Sequence, residues 1–109
     1  MGGINRGPFI HELKTWPQYF AEIYCSLKMF EVRKSDRDFK VGDLLVLREY
    51  DPVIQEYTGR IIPVCITYIL PGGQFGIEGG YCVMGLSNII PEDLYWSYRN
   101  MFFGHSNPL

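Results

Sequence analysis

The sequence predicts an α+β domain: a small, mostly β barrel with one helix packed on it near the N-terminus and a helical tail at the C-terminus. Several short apolar runs alternate with period two and are separated by Gly-rich turns, as the strands of a small barrel are. A helical period appears early, at Phe20, Ile23, Tyr24 and Leu27, and again after Pro91. A chain of 109 residues has room for one core and not for two. The expected organisation is a flexible N-terminus over 1–8, a barrel domain over 9–88 and an aromatic-rich helical extension over 89–109.

The first eight residues hold three Gly and one Pro, which favours a flexible lead. Phe9, His11 and Leu13 then alternate with Ile10 and Glu12, the pattern of a short strand. Thr15-Trp16-Pro17-Gln18 reads as a helix start, with Thr15 as cap, Pro17 in the first turn and Gln18 at capping-box spacing. Phe20, Ile23, Tyr24 and Leu27 give that helix one apolar face about three turns long. Lys28 falls at its C-terminal end, where the helix dipole favours a cation. From Met29 to Arg33 the period becomes two, so Phe30 and Val32 are expected to face the core. Glu31 and Arg33 then share the other face with Met29.

Ser35–Asp38 reads as a turn, and Val41-Gly42-Asp43 as a second one that launches Leu44–Leu47, a run with the length of a buried strand. Asp51-Pro52 and Tyr57-Thr58-Gly59 bracket a loop. Residues 44–50 and 60–70 are thus expected to form a hairpin with a connection of about nine residues. Ile62, Val64, Ile66, Tyr68 and Leu70 alternate cleanly against Pro63, Cys65 and Thr67. Because Pro63 cannot donate to a ladder, its end belongs at an edge or a bulge. Pro71-Gly72-Gly73 ends this strand, and Tyr81–Met84 is the last one. Pro91-Glu92-Asp93 starts a second helix, marked on one side by Leu94, Tyr98, Met101 and Phe102 and stopped by Gly104. Tyr95, Trp96 and Phe103 lie off that side, so this helix is aromatic nearly all round. Packing on its own barrel is the simpler outcome; a homodimer or a protein partner is the other.

Composition excludes several classes. No apolar run approaches the roughly 18 residues that cross a bilayer, and the N-terminus lacks the apolar core of a secretory signal. Cys25, Cys65 and Cys82 are odd in number and widely spaced, which gives neither a disulfide framework nor a zinc pattern. They read as buried thiols of a cytoplasmic protein, with no membrane partner. His11 and His105 have no second ligand at metal spacing, and no metal or cofactor is expected.

The net charge of −2 argues against coating nucleic acid by bulk electrostatics. The distribution says more. Residues 28–40 carry five basic and three acidic side chains, whereas residues 41–109 carry three basic and seven acidic ones. A local anion-attracting spot on an acidic chain fits a confined ligand site better than a long backbone-tracking groove. The candidates follow from that stretch. Lys28 can anchor a phosphate or act as a base, and Glu31 supplies acceptors beside it. Arg33 can grip a phosphate or carboxylate with two parallel hydrogen bonds. Asp36 and Arg37 belong to the rim, and Tyr81 or Phe39 can stack on a base. Each has a plainer reading: helix capping and ion pairing for Lys28, Glu31 and Arg33, surface turn for Asp36 and Arg37, core packing for the aromatics.

Several separated motifs carry a family likeness. His11-Glu-Leu-Lys14, Trp16-Pro-x-Tyr-Phe20, Lys28-x-Phe-Glu31-x-Arg33, Asp36-Arg-x-Phe39-x-Val-Gly-Asp43 and Glu49-Tyr-Asp51 appear in order. Tyr57-Thr-Gly-Arg60, Val64-x-Ile-Thr-Tyr-Ile-Leu70, Phe75-Gly76 and Gly80-Tyr-x-Val-Met84 continue them. Over roughly residues 10–87 the chain resembles small bacterial and phage proteins of the ASCH superfamily, relatives of the RNA-binding PUA domain. The resemblance implies a PUA-like barrel with a pocket beside the first helix, lined by the segment that matches G-x-K-x-x-E-x-R. It implies RNA or a modified nucleoside as ligand, in the cytoplasm of a bacterial or phage-infected cell. Two positions depart from the pattern. Ser26 stands where the motif has Gly, and Glu31 stands where the branch that hydrolyses N4-acetylcytidine has Thr. Three expectations follow: an RNA or modified-nucleotide binding module using Lys28, Glu31 and Arg33; a nucleoside amidohydrolase with Lys28 and Glu31 catalytic; and a phage interaction or anti-defence factor that uses the aromatic tail.

Overall fold

Strands and helices follow one another as β1 (Ile10–Thr15), α1 (Pro17–Tyr24), β2 (Phe30–Lys34), β3 (Leu44–Asp51), β4 (Glu56–Pro71), β5 (Tyr81–Ser87) and α2 (Glu92–Phe103). This computed structural model describes residues 6–104. The expectations for residues 1–5 and for His105 lie outside the described residues. The five strands form one sheet in the order β1-β3-β4-β5-β2, with β1 parallel to β3 and the other pairs antiparallel. The fold is α+β, a sheet curled into a half-barrel with two helices.

The run Leu44–Leu47 explains the layers. All four side chains are fully buried, which a one-sided sheet would not require. Leu45 and Leu47 join Leu13, Ile23, Val64, Ile66, Cys82, Met84 and Leu86 inside the curl. Leu44 and Val46 point the other way and meet Cys65, Leu94 and Tyr98 under α2. A strand covered on both faces reads as an unbroken apolar run. The C-terminal helix therefore packs on its own sheet through Leu94 and Tyr98, and Gly104 closes it with a φ of 69°. Met101, expected on the buried side, is exposed; Tyr95 packs against the core in its place.

β4 is long because it serves two neighbours. It pairs with β3 from Glu56 to Cys65 and with β5 from Cys65 to Pro71, and its register slips at Thr67. That slip turns Tyr68 outward and brings Ile69 onto the core, so the clean alternation of the sequence ends there. Pro63 faces Val46 of β3 on the part of β4 that β5 does not reach, where its missing N–H removes no second ladder bond. The β3–β4 connection is short, because β4 begins at Glu56 and not near Gly59.

Three local expectations are corrected. Thr15 ends β1 and does not cap α1; the N-cap position falls on Trp16, with Pro17 next and no side-chain cap bond. The helix stops at Tyr24, because Ser26 takes a left-handed φ of 59° and turns the chain. Tyr24 and Leu27 are thus exposed, and only Phe20 and Ile23 of the apolar face are buried. In β2 the faces are the reverse of those expected: Glu31 is buried and Arg33 half-buried, while Phe30 and Val32 are exposed.

Candidate functional site

The reversed β2 has a structural cause. β1 and β2 are the two ends of the sheet order, yet the curl brings them opposite each other. No backbone ladder joins them. Instead Arg33 Nη2 donates to the Lys14 carbonyl at 2.6 Å, and Arg37 Nη1 donates to the Glu12 carbonyl at 3.1 Å. Arginines thereby satisfy acceptors that an edge strand would otherwise leave to water. This seam needs polar side chains on the inward face of β2, and Glu31 and Arg33 supply them.

A pocket of about 470 Å³ opens at the seam, lined by Lys14, Thr15, Trp16, Tyr19, Lys28, Glu31, Val32 and Arg33. Its volume lies within the range of small-ligand sites. β1 contributes Lys14 and Thr15, the start of α1 contributes Trp16 and Tyr19, and β2 with its lead-in contributes the rest. At the centre is Glu31, 6 % exposed. Its Oε2 accepts from Arg33 Nε at 2.6 Å and its Oε1 from Lys28 Nζ at 3.2 Å. Lys28 Nζ also donates to the Phe30 carbonyl at 2.7 Å and lies near the rings of Phe30 and Tyr19.

Each group keeps capacity for a ligand. The Glu31 carboxylate has lone pairs beyond those its two partners take, and Arg33 and Lys28 retain unused N–H donors. The trio carries one net positive charge and is partly desolvated, which suits an anionic ligand that also bears a donor. Trp16 and Tyr19 expose half or nearly half of their surface and add aromatic faces to the wall. Among the described residues no three His, Cys, Asp or Glu side chains converge as a metal site.

Lys28, Glu31 and Arg33 thus meet in one pocket. Asp36 and Arg37 sit beyond its lining, with their ion pair stretched to 4.0 Å, and Arg37 latches the seam further along β1. Tyr81 pairs with Lys34 in the β2–β5 ladder and does not line the pocket. Phe39 packs edge-on to the His11 ring, 4.9 Å between centroids, and against the core. Five lining residues were not site candidates from the sequence: Lys14, Thr15, Trp16, Tyr19 and Val32. The signal of Thr15, Trp16 and Tyr19 is only positional: they sit about the turn where β1 becomes α1.

A second polar cluster, away from the pocket, is centred on Asp43, 1 % exposed. It accepts from both Nη atoms of Arg6 at 2.9 Å, from His11 Nε2 at 2.7 Å, and from the amides of Phe9 and Lys40 at 3.0 Å. Burial alone pushes the carboxyl up; Arg6, His11 and the two amides outweigh it and hold the carboxyl at about 2. The cluster pins the start of β1 to the start of β3. Its partners all use the carboxylate as an acceptor, and the arrangement is structural.

Comparison with known proteins fits this picture of a small unit. A protein of Escherichia phage P2, described as an uncharacterized 12.9 kDa protein in the GpA 3′ region, is 40 % identical over 58 residues. The match covers 53 % of this chain and spans about half the length of that relative, 51 %. A family model described as a domain of unknown function, DUF3850, matches residues 10–86, from the first residue of β1 to the penultimate residue of β5. With the pocket and all but the last residue of the sheet inside that match, the chain belongs to the DUF3850 family.

Proposed function

We propose that this chain is a binding domain that takes RNA or a modified nucleotide into the seam pocket, without turning it over. The observation that carries the reading is the Lys28–Glu31–Arg33 trio, half closed inside a pocket with two aromatic residues in its wall. A nucleotide matches these groups one by one. Its phosphate suits Lys28 and Arg33, the donor edge of its base suits Glu31, and its π-face suits Trp16 or Tyr19. The ASCH likeness of the motifs supports the same ligand class. A small net positive charge confined to a half-closed pocket, where Lys14, Lys28 and Arg33 face one carboxylate, on a chain of net charge −2, favours a short ligand over a long duplex.

Hydrolysis of an acylated nucleoside is the second reading, favoured by Lys28 and Glu31 lying side by side in the pocket. It ranks lower because a base role requires the neutral amine, which gives up the ion pair that Lys28 makes with Glu31. The test is titration of the purified chain with nucleosides, nucleotides, acylated cytidines and short single-stranded RNA, followed by Trp fluorescence and by release of free acid. Saturable binding that weakens by about tenfold or more in Arg33→Ala, with no acid released, is the expected result. Acid release lost in Lys28→Ala establishes the hydrolase, and equal binding by Arg33→Ala removes the site.

A further inference from the structure

Among the described residues, two buried side-chain polar atoms find no hydrogen-bond partner, Arg6 Nε and Thr15 Oγ1. Arg6 Nε still lies 3.4 Å from an Asp38 oxygen, whereas Thr15 Oγ1 has no such neighbour. Thr15 is 3 % exposed and belongs to the pocket wall. Its partner across the β1–β3 register is Glu49, but that carboxylate takes the Thr58 hydroxyl at 2.7 Å. An unmet buried hydroxyl is unfavourable to the free protein and calls for a partner.

Further donors without a side-chain partner lie beside it. α1 starts at the same corner with no side-chain cap and no acidic residue in its first turn. The first main-chain bond of the helix runs from the Phe20 amide to the Trp16 carbonyl at 2.9 Å. Earlier amides, those of Gln18 and Tyr19, have no intrahelical acceptor, and Pro17 has no N–H. Thr15 could have capped this turn, yet its hydroxyl makes no cap bond and the residue lines the pocket.

We propose that the Thr15 hydroxyl and the uncapped first turn of α1 form the phosphate subsite of the pocket, and that the ligand is a nucleotide with a terminal phosphate monoester. This rests on the nucleotide reading above and adds the place and form of the phosphate. A phosphate oxygen accepts from Thr15 Oγ1 and from the amide of Tyr19, which also lines the pocket, at the positive end of the helix dipole. Arg33 in β2 and Lys28 just before it line the same pocket with N–H groups to spare, and Glu31 has lone pairs left to accept from the base. The pocket volume of about 470 Å³ accommodates one nucleotide and not a run of them.

The experiment is calorimetric titration of the full chain with the four nucleoside 5′-monophosphates, their parent nucleosides, inorganic phosphate and a 5′-hydroxyl single-stranded RNA. Wild type, Thr15→Val, Thr15→Ser and Arg33→Ala are compared. At least one monophosphate is expected to bind about tenfold or more tightly than its nucleoside. Thr15→Val is expected to erase that difference without changing nucleoside binding, and Thr15→Ser to keep it. The melting temperature of ligand-free Thr15→Val is expected to equal or exceed that of wild type, because no native bond is lost. Equal binding of monophosphate and nucleoside, unchanged monophosphate affinity in Thr15→Val, or a clear drop in its melting temperature overturns the subsite. If the RNA binds and weakens in Arg33→Ala while no monophosphate binds, the subsite falls and the broader reading stands. If nothing binds, both fall.

Discussion

Asp43 shows how one carboxylate can hold two strands in register. Arg6 and His11 come to it from more than thirty positions earlier in the chain, and the amides of Phe9 and Lys40 complete its shell. Asp43→Asn removes the buried charge and takes from Arg6 its two-pronged partner, leaving it the exposed Asp38 carboxylate alone. A loss of about 3 kcal/mol in urea unfolding is expected, since breaking a buried pair from one side costs more than the pair contributes. Acid titration gives the same group a second readout. Its folded pKa of about 2 lies below the ordinary 3.8, so its contribution is complete above 3.8 and is lost as the pH falls from there through 2. Thermal melts between pH 5 and pH 2 should show that step in wild type and lack it in Asp43→Asn. None of this was legible beforehand. Val41-Gly42-Asp43 looks like any polar turn, and a hub built from distant partners leaves no local pattern.

The elements were more legible where one face alone decides them. β1 alternates as the sequence says, and the start of α1 follows from Pro17. The length of α1 was not legible, because Ser26 adopts a left-handed turn usually given to Gly. The facing of β2 was not legible either. Phe30 and Val32 are its apolar residues, but seam closure by Arg33 and the shared burial of Glu31 outweigh their transfer from water. The aromatic tail is legible as a helix and ambiguous as a surface. Its inner half depends on the unbroken run Leu44–Leu47, whose second face it covers. Leu94→Ala is expected to destabilise the fold by about 2–4 kcal/mol, measured by denaturant unfolding, with a loss of less than about 1 kcal/mol for the exposed Trp96→Ala.

At the scale of the whole molecule, the two sheet edges are joined by side chains and not by a ladder. Hydrogen exchange should therefore be slowest in the buried core of β3 and in the β4 residues paired with it, and markedly faster along the facing edges of β1 and β2. Ligand in the seam pocket should slow exchange in β1, β2 and the first turn of α1 and leave the centre of the sheet unchanged. Uniform protection across all five strands, or no change on adding ligand, would contradict this division. The fold class was visible in the sequence because turns and alternation are local. The seam was not, since it exists only when the sheet has curled.

The strand order also has a consequence for how the chain assembles. β1 and β2 come first in the sequence but lie at the two far ends of the sheet, whereas β3, β4 and β5 form a simple antiparallel meander. During synthesis the first third of the chain emerges before any strand it pairs with has been made. The meander must form before the early strands find a template, and long-range pairing of that kind is slow. The seam is then the last joint to close, and a nascent or partly folded chain has no pocket to offer. Ligand binding reports the finished sheet.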